Sequence, residues 1–566
     1  MAIYQQYEKR TVVSLGGIWE FNRLSSEQKQ EAVDPASLTF PDIINVPGCY
    51  DMMPDHLGAR SGAFYKRTIK VPAQSKARLH FGGLSIWGRV FVDGELIAEH
   101  RKPYSSFWCD IPLSEKAERE LIVYVDNRFD QEACPLVQPE HDYHLYGGIF
   151  REVSLHYLPD CFIENVKIDT VDYQTGRVGI TVFLGGTLPK QAEIGYAFDD
   201  NKEEQYSALL EANHITFQAD VPNFECWSPK SPHLHTLRLT YGPDDRQVRF
   251  GIRTVETKGN ALQLNGEPLK LLGFNRHEAH PTFGAAVPIQ QQIADLQLIK
   301  DLGCNFIRGS HYPQDDSFLD LCDQLGILVW EESVGWGQTT EHFRDPYYRE
   351  LNLEQTREMI EAHWNHPSII IWSFQNESES HLEEADLLYP DLMDLCKKLD
   401  STRLVAAATN KDFQDRFLDQ VDVICFNLYP GWYPPEEDHR ADRSDFIVPH
   451  IREMVAKLKA KGLDDRPFLI SEIGAGAIYG HRDPFGGMWT EEYQSKYLAE
   501  VCNEVIENEA ISGVGLWQFC DCRTYNGFFA LRRPRSYNNK GILDEYRRPK
   551  LAYKVVKRIF NTATVI

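Results

Sequence analysis

After about residue 260 the chain alternates short, nearly continuous apolar runs with helical stretches, and this rhythm constrains its fold more than any other feature. The runs are Leu269–Phe274, Phe306–Arg308, Ile327–Trp330, Ile369–Ser373, Leu404–Ala407, Val423–Phe426, Phe468–Ile470 and Gly513–Trp517. A stretch with Ile293, Leu296, Ile299 and Leu302 at helical spacing separates the first two, and one with Phe318, Leu321, Cys322 and Leu325 follows the second. Strands apolar on both faces belong to parallel sheets covered on both sides. Eight such units in about 300 residues predict a (β/α)8 TIM barrel over residues 257–566.

At 566 residues the chain exceeds one core, because single cores stop growing near ~250–300 residues. Residues 1–157 carry β-rich runs at Ile18–Phe21, Ala63–Val71, Ala77–Phe81, Gly88–Val92, Arg119–Val125 and Arg151–Tyr157, parted by turn formers such as Val46-Pro-Gly and Asp93-Gly. With no long amphipathic helix between them, they predict a jelly-roll β-sandwich. Residues 158–256 continue the alternation on a smaller scale, in the runs from Val166, Val178, His235 and Gln247, and predict an immunoglobulin-like β-sandwich.

Lys+Arg 59 against Asp+Glu 83 gives a net charge of −24, a field that repels nucleic acid and acidic membranes. No apolar run approaches the ~20 residues that span a bilayer, and the N-terminal segment lacks the apolar core of a signal peptide, so a cytoplasmic location is expected. The 12 cysteines are scattered; Cys520 and Cys522 form a C-x-C with no second pair at zinc-binding spacing, and free buried thiols are expected. No cofactor is implied.

In a barrel of this kind chemistry sits at the C-terminal ends of the strands. Polar residues collect there: Asn275-Arg-His-Glu278, Arg308-Gly-Ser-His311, Glu331-Glu332, Gln375-Asn376-Glu377, Asn427-Leu-Tyr429, Ser471-Glu472 and Trp517-Gln518. One acidic residue after a strand is ordinarily a helix N-cap. Helix capping does not account for seven strands ending in polar residues. Hydrolysis of a glycoside needs two carboxyls across the scissile bond, about 5–5.5 Å apart in retaining enzymes. Glu377 and Glu472, ending the fourth and seventh strands, lie on opposite sides of the mouth. The acid has to be held protonated, a task assigned to burial against Trp372 or Trp517. The nucleophile needs donors, for which Arg308 and Tyr429 are candidates.

Asn305-Phe-Ile-Arg-Gly-Ser-His-Tyr-Pro313 and Asn365-His-Pro-Ser-Ile-Ile-Ile-Trp-Ser-Phe-Gln-Asn-Glu377 resemble signatures of the family-2 glycoside hydrolases. Leu15-Gly-Gly-Ile-Trp19, Val46-Pro-Gly48 and the order of the three units match the same pattern, so the resemblance covers nearly the whole chain. It implies Glu377 as acid/base, Glu472 as nucleophile and Asn376 as partner of the sugar 2-hydroxyl. It assigns His277 and His311 to sugar binding or packing rather than to a metal, so no metal is expected; Trp517 joins the same substrate-binding set. Homo-oligomers are common in the family and one is expected here. A non-catalytic sugar-binding protein would need neither glutamate.

The family spans β-galactosidases, β-mannosidases and β-glucuronidases, so the sugar is read elsewhere. Tyr537-Asn-Asn-Lys-Gly541 resembles the carboxylate clamp of the β-glucuronidases, with Asn538 an amide donor and Lys540 a point charge for a uronate. Asn427-Leu-Tyr-Pro-Gly-Trp-Tyr433 looks like their strand-6 loop, placing Tyr429 near the nucleophile and Tyr433 near the sugar. His141-Asp-Tyr-His-Leu-Tyr-Gly-Gly-Ile149 resembles the loop by which the N-terminal domain reaches the site, with Asp142 on a sugar hydroxyl. The expected substrate is a small-molecule or oligosaccharide β-uronide, a glucuronide first. Because the two sugars differ only at O4, a galacturonide stays open, with a β-galactoside behind it. Arg523, Arg532, Arg533 and Arg535 form an arginine-rich stretch that either assists Lys540 or lies on the surface.

Overall fold

The structure, a computed structural model, describes residues 3–28, 33–139, 142–210, 212–433, 443–524 and 533–563. Its N-terminal part packs two antiparallel sheets face to face. One orders Val12–Ser14, Val153–Leu158, Lys76–Phe81 and Phe107–Ile111; the other orders Asp42–Val46, Gly17–Arg23, Gly62–Lys70, Glu118–Asp126, Trp87–Val92 and Glu95–His100. Their inner faces bury Trp19, Phe21, Tyr65, Leu79, Val123 and Leu155, each side chain contributing ~1.5–3 kcal/mol by leaving water. A second, smaller sandwich follows. Its three-stranded sheet (Cys161–Asp172, Arg177–Gly186, His214–Asp220) faces a four-stranded one (Glu204–Leu209, Gln191–Phe198, His235–Tyr241, Asp244–Phe250). Strict in–out alternation along His235–Tyr241 delivers Leu237 and Leu239 to that core.

A three-stranded hairpin sheet, Val255–Lys258, Ala261–Leu264 and Glu267–Leu269, leads into the barrel. Leu262, Leu264 and Leu269 cluster with Leu271, Phe306, Leu328 and Leu404, the first residues of four barrel strands, and so plug the end of the barrel away from the mouth. The barrel closes in sequence order through eight parallel strands: Leu271–Arg276, Phe306–Gly309, Leu328–Glu332, Ile369–Asn376, Leu404–Thr409, Ile424–Asn427, Phe468–Ile473 and Gly513–Leu516. All but the fifth are buried at every position, which is why their sequences carry no alternation. Between them the helices start and stop on local signals. Asp316–Leu325, for example, begins where the Asp315 carboxylate accepts the Ser317 N–H, and ends at Gly326, whose φ of +70° favours glycine and where a Cβ would lie 2.4 Å from the Pro229 carbonyl oxygen. Among the described residues no helix is long and apolar enough to cross a membrane, and the 12 cysteines are free thiols.

Candidate active site

Arg308, at the end of the second strand, is the hub of the mouth. Fully buried, it donates from Nε to Glu332 (3.0 Å), from Nη1 to Asn275 (2.9 Å) and Glu472 (2.7 Å), and from Nη2 to Asn376 (2.9 Å). Burial works against its charge, but the carboxylates of Glu332 and Glu472 more than compensate and hold its pKa above the ordinary value. Glu472 ends the seventh strand and receives a second donor, the Tyr429 hydroxyl at 2.8 Å. His311 pairs with Glu332 through Nδ1 at 2.6 Å, while its Nε2 stands 4.0 Å from Glu472. Of the Glu331-Glu332 pair only Glu332 faces this centre. Glu331 turns outward to His363 (2.9 Å), as the two-residue period of a strand requires.

The fourth strand ends in strained backbone: Gln375 and Glu377 have φ of +52° and +54°, a left-handed conformation costing ~1–3 kcal/mol at a residue with a side chain. The backbone N–H of Glu377 is anchored on the Ala408 carbonyl at 2.9 Å. Its half-buried carboxyl accepts from Asn427 Nδ2 at 2.8 Å, and the same amide reaches Asn376 Oδ1 at 3.1 Å. Burial, and next to it the charge of Glu472, push Glu377 up to about 7. Asn376 spends its oxygen on Arg308 and Asn427, and its Nδ2 has no partner among the described residues. One carboxyl is thus disposed to carry a proton near neutrality, while the other is met by charged and neutral donors.

One sequence expectation is revised. Trp372 does not line the site: it faces the helical layer, donating to Asp400 at 2.9 Å beneath Arg403, so the acid's environment comes from other groups. Trp517 does lie in the mouth, stacked on His311 with ring centroids 5.4 Å apart and edge-on to His277. His277 also stacks on Tyr143 of the N-terminal sandwich, at 4.7 Å. Glu278 leaves this group for Arg151 (2.7 Å) and His280 packs on Phe283. Among the described residues, three potential ligands converge only at Asp320, Asp323 and His366. That group lies outside the barrel and is internally paired, with Asp323 2.6 Å from His366 and Asp320 accepting the Ile3 N–H.

Beside the carboxylates lies a cationic corner assembled from three segments. Lys540, 2% exposed, donates to the Tyr433 hydroxyl at 2.7 Å and sits over the rings of Tyr429, Trp432 and Tyr433. Burial pushes its pKa down, Arg533 adds to the fall, and Tyr433 and Asp142 oppose it. Asn538 donates to Asp142 at 2.9 Å. Arg533 grips the same carboxylate from Nε (2.9 Å) and Nη2, and reaches the Tyr433 hydroxyl at 3.2 Å. Of the arginine-rich stretch, Arg533 therefore points inward and Arg535 pairs with Glu545 at 2.7 Å; Arg532 falls outside the described residues, as does His141. The turn carrying Asn538 and Lys540 rests on Asp521, which accepts from Gly541 N (3.0 Å), Asn539 (3.0 Å) and Lys550 (2.7 Å). A Cβ at Gly541 would lie 2.3 Å from Asp521 N, so only glycine lets the turn close. Asp521, Asn427 and Glu332 carry this architecture without a role legible in the sequence; position at a strand end is the one signal for the last two.

The barrel's sequence matches the model of glycosyl hydrolases family 2, TIM barrel domain, over residues 255–565, and the second sandwich matches that of glycosyl hydrolases family 2 over 161–253. The chain belongs to glycosyl hydrolases family 2. Family-2 membership makes it a glycoside hydrolase, and its likeness to characterised members runs end to end. It is 35% identical to a family-2 β-galacturonidase from Eisenbergiella tayi solved with galacturonate, with a TM-score of 0.90 over 100% of this chain and 99% of that one. The Faecalibacterium prausnitzii β-glucuronidase is 26% identical, with a TM-score of 0.86 over 100% and 99%. A β-glucuronidase of Paenibacillus borealis is 28% identical, across 97% of this chain and 96% of the relative.

Proposed function

We propose that this family-2 enzyme is a retaining exo-β-uronidase that removes terminal β-D-glucuronic acid, with Glu472 as nucleophile and Glu377 as acid/base. The observation that carries the substrate reading is Lys540, a buried ammonium with no carboxylate in ion-pair contact among the described residues. A buried cation left unpaired is costly, and a C6 carboxylate on the substrate offsets that cost.

Glu472, held by Arg308 and Tyr429, attacks the anomeric carbon, while protonated Glu377 donates to the departing glycosidic oxygen. Ester formation discharges Glu472 and removes one of the two influences that raise Glu377, so its pKa falls and the residue ionises. It then takes the proton of the water that releases the sugar. The free Nδ2 of Asn376 donates to the 2-hydroxyl, a contact that tightens in the transition state. His277, His311 and Trp517 form the wall of the sugar pocket, and Asp142 reads a ring hydroxyl. A homo-oligomer is part of the same reading, and light scattering of the purified chain tests it.

A second reading, β-galacturonidase, is favoured by the 35% identity to the E. tayi enzyme against 26% to that of F. prausnitzii. Comparing kcat/KM on nitrophenyl β-glucuronide, β-galacturonide and β-galactoside separates them. The glucuronide is expected to lead. A lead for the galacturonide keeps the clamp and reverses the O4 assignment, and a lead for the galactoside removes the uronide reading.

A further inference from the structure

The cationic corner contains two cations and one carboxylate: Lys540, Arg533 and Asp142. Their sum is one positive charge, which a single uronate neutralises. The three are not interchangeable. Arg533 presents its fork to Asp142, with side chains only 6% and 14% exposed, and Asn538 commits an N–H to the same carboxylate. Lys540 is left with the phenol of Tyr433 and three aromatic rings. If Arg533 turned to the substrate's carboxylate, Asp142 would be stranded in a poorly solvated place beside a second negative charge, the arrangement that buried ion pairs pay most to avoid. The lower-energy division keeps Arg533 on Asp142 and gives the uronate to Lys540.

We propose that Arg533 is a positioning residue for O4 discrimination: it locks Asp142, brought in from the N-terminal sandwich, in the orientation that distinguishes an equatorial from an axial 4-hydroxyl, and leaves recognition of the uronate to Lys540. This rests on the uronidase reading above. Asp142 keeps lone pairs for a sugar hydroxyl while its fork contact fixes the carboxylate plane, because guanidinium and carboxylate meet in one bidentate geometry. Lysine, a point charge on a flexible stem, holds the charge but not that plane. The contact spans 391 residues of sequence, so it also sets how the N-terminal loop seats on the mouth.

The test measures two ratios of kcat/KM in the full-length enzyme: glucuronide over galacturonide, and the preferred uronide over the matching neutral glycoside. In Arg533→Gln the first ratio is expected to move at least tenfold towards unity, and the second to stay within about threefold of the parent. Arg533→Lys should give an intermediate first ratio. The double variant Asp142→Asn/Arg533→Gln should match Asp142→Asn alone, because Arg533 acts through Asp142. Collapse of the second ratio in Arg533→Gln, as for Lys540→Ala, would make Arg533 a uronate cation and overturn the proposal. So would an equal loss on all substrates with both ratios unchanged, the mark of a structural prop. A parent that prefers the neutral galactoside sinks the uronidase reading first, independently of either variant.

Discussion

The carboxylate centre and the cationic corner lie side by side but are built differently. Glu377, Glu472, Arg308, Asn376 and Asn427 all sit at or just beyond the ends of barrel strands, and parallel register fixes their relative positions: Asn427 pairs with Glu472, and Asn376 with Ala408. The corner has no such frame. Asn538 comes from a two-residue strand paired with Cys522–Arg523 and Lys540 from the turn that follows it, Tyr433 from the loop after the sixth strand, and Asp142 from another sandwich, and these segments meet through side-chain contacts. A centre on strands supports chemistry, which tolerates little displacement. Loops between rigid elements ordinarily carry binding specificity, so selection is expected from the corner.

The largest effect should come from the centre and be blind to substrate. Glu472→Gln keeps the donors but removes the nucleophile, and a fall in kcat/KM of roughly 10⁴-fold or more is expected on every glycoside. Substantial residual turnover on any one of them takes the nucleophile away from Glu472. The corner, by contrast, should fail selectively. Lys540→Ala is expected to cost uronides about 10²-fold, or ~3 kcal/mol, while sparing weak activity on neutral glycosides. Equal losses on both would erase the distinction between the two regions.

A smaller effect separates them by pH. Glu377 is raised to about 7, so the acid form is present below that value and is lost above it; kcat/KM should fall about tenfold per pH unit on the alkaline side. In Glu377→Ala that limb should vanish, and residual activity should survive better on nitrophenyl leaving groups than on alkyl ones. In Lys540→Ala the limb should remain. A limb that persists in Glu377→Ala assigns the acid elsewhere.

The smallest effect is on stability. A carboxyl whose folded pKa lies above its unfolded value of about 4.5 binds its proton more tightly when folded, so its contribution is lost as pH rises through about 7. Glu377→Gln removes the penalty of ionising that group. It should stabilise the fold at pH 8 by of the order of 1 kcal/mol, with solvent screening limiting the gain, and should change little near pH 4.5. Denaturant midpoints at the two pH values measure this; a variant less stable than the parent at pH 8 rejects the strained-acid picture.

What could be read from sequence follows the same division. The eight barrel strands announce themselves because burial on both faces demands continuous apolar runs, and the polar residues that break those runs mark the mouth. Strands at sheet margins do not. Glu204–Leu209 is an edge strand with no buried residue, and Asp42–Val46 and Glu95–His100 are edges of the larger sandwich, so their sequences lack a full apolar period and carry no clear strand signal. Position along the chain alone points Trp372 at the site; which face of a strand turns inward depends on register, and that tryptophan faces the helices.

By itself, then, the sequence determined the succession of sandwiches and barrel and placed Glu377 and Glu472 at strand ends, because periodicity and strand termini are local properties of the chain. Only the tertiary structure decided that Arg308 ties Glu472 to Asn376, that Arg533 rather than Arg535 turns inward, and that Asp142 reaches the corner from another sandwich. Those choices depend on contacts between residues far apart in sequence, and on which buried charges are left to neutralise one another once the barrel has closed.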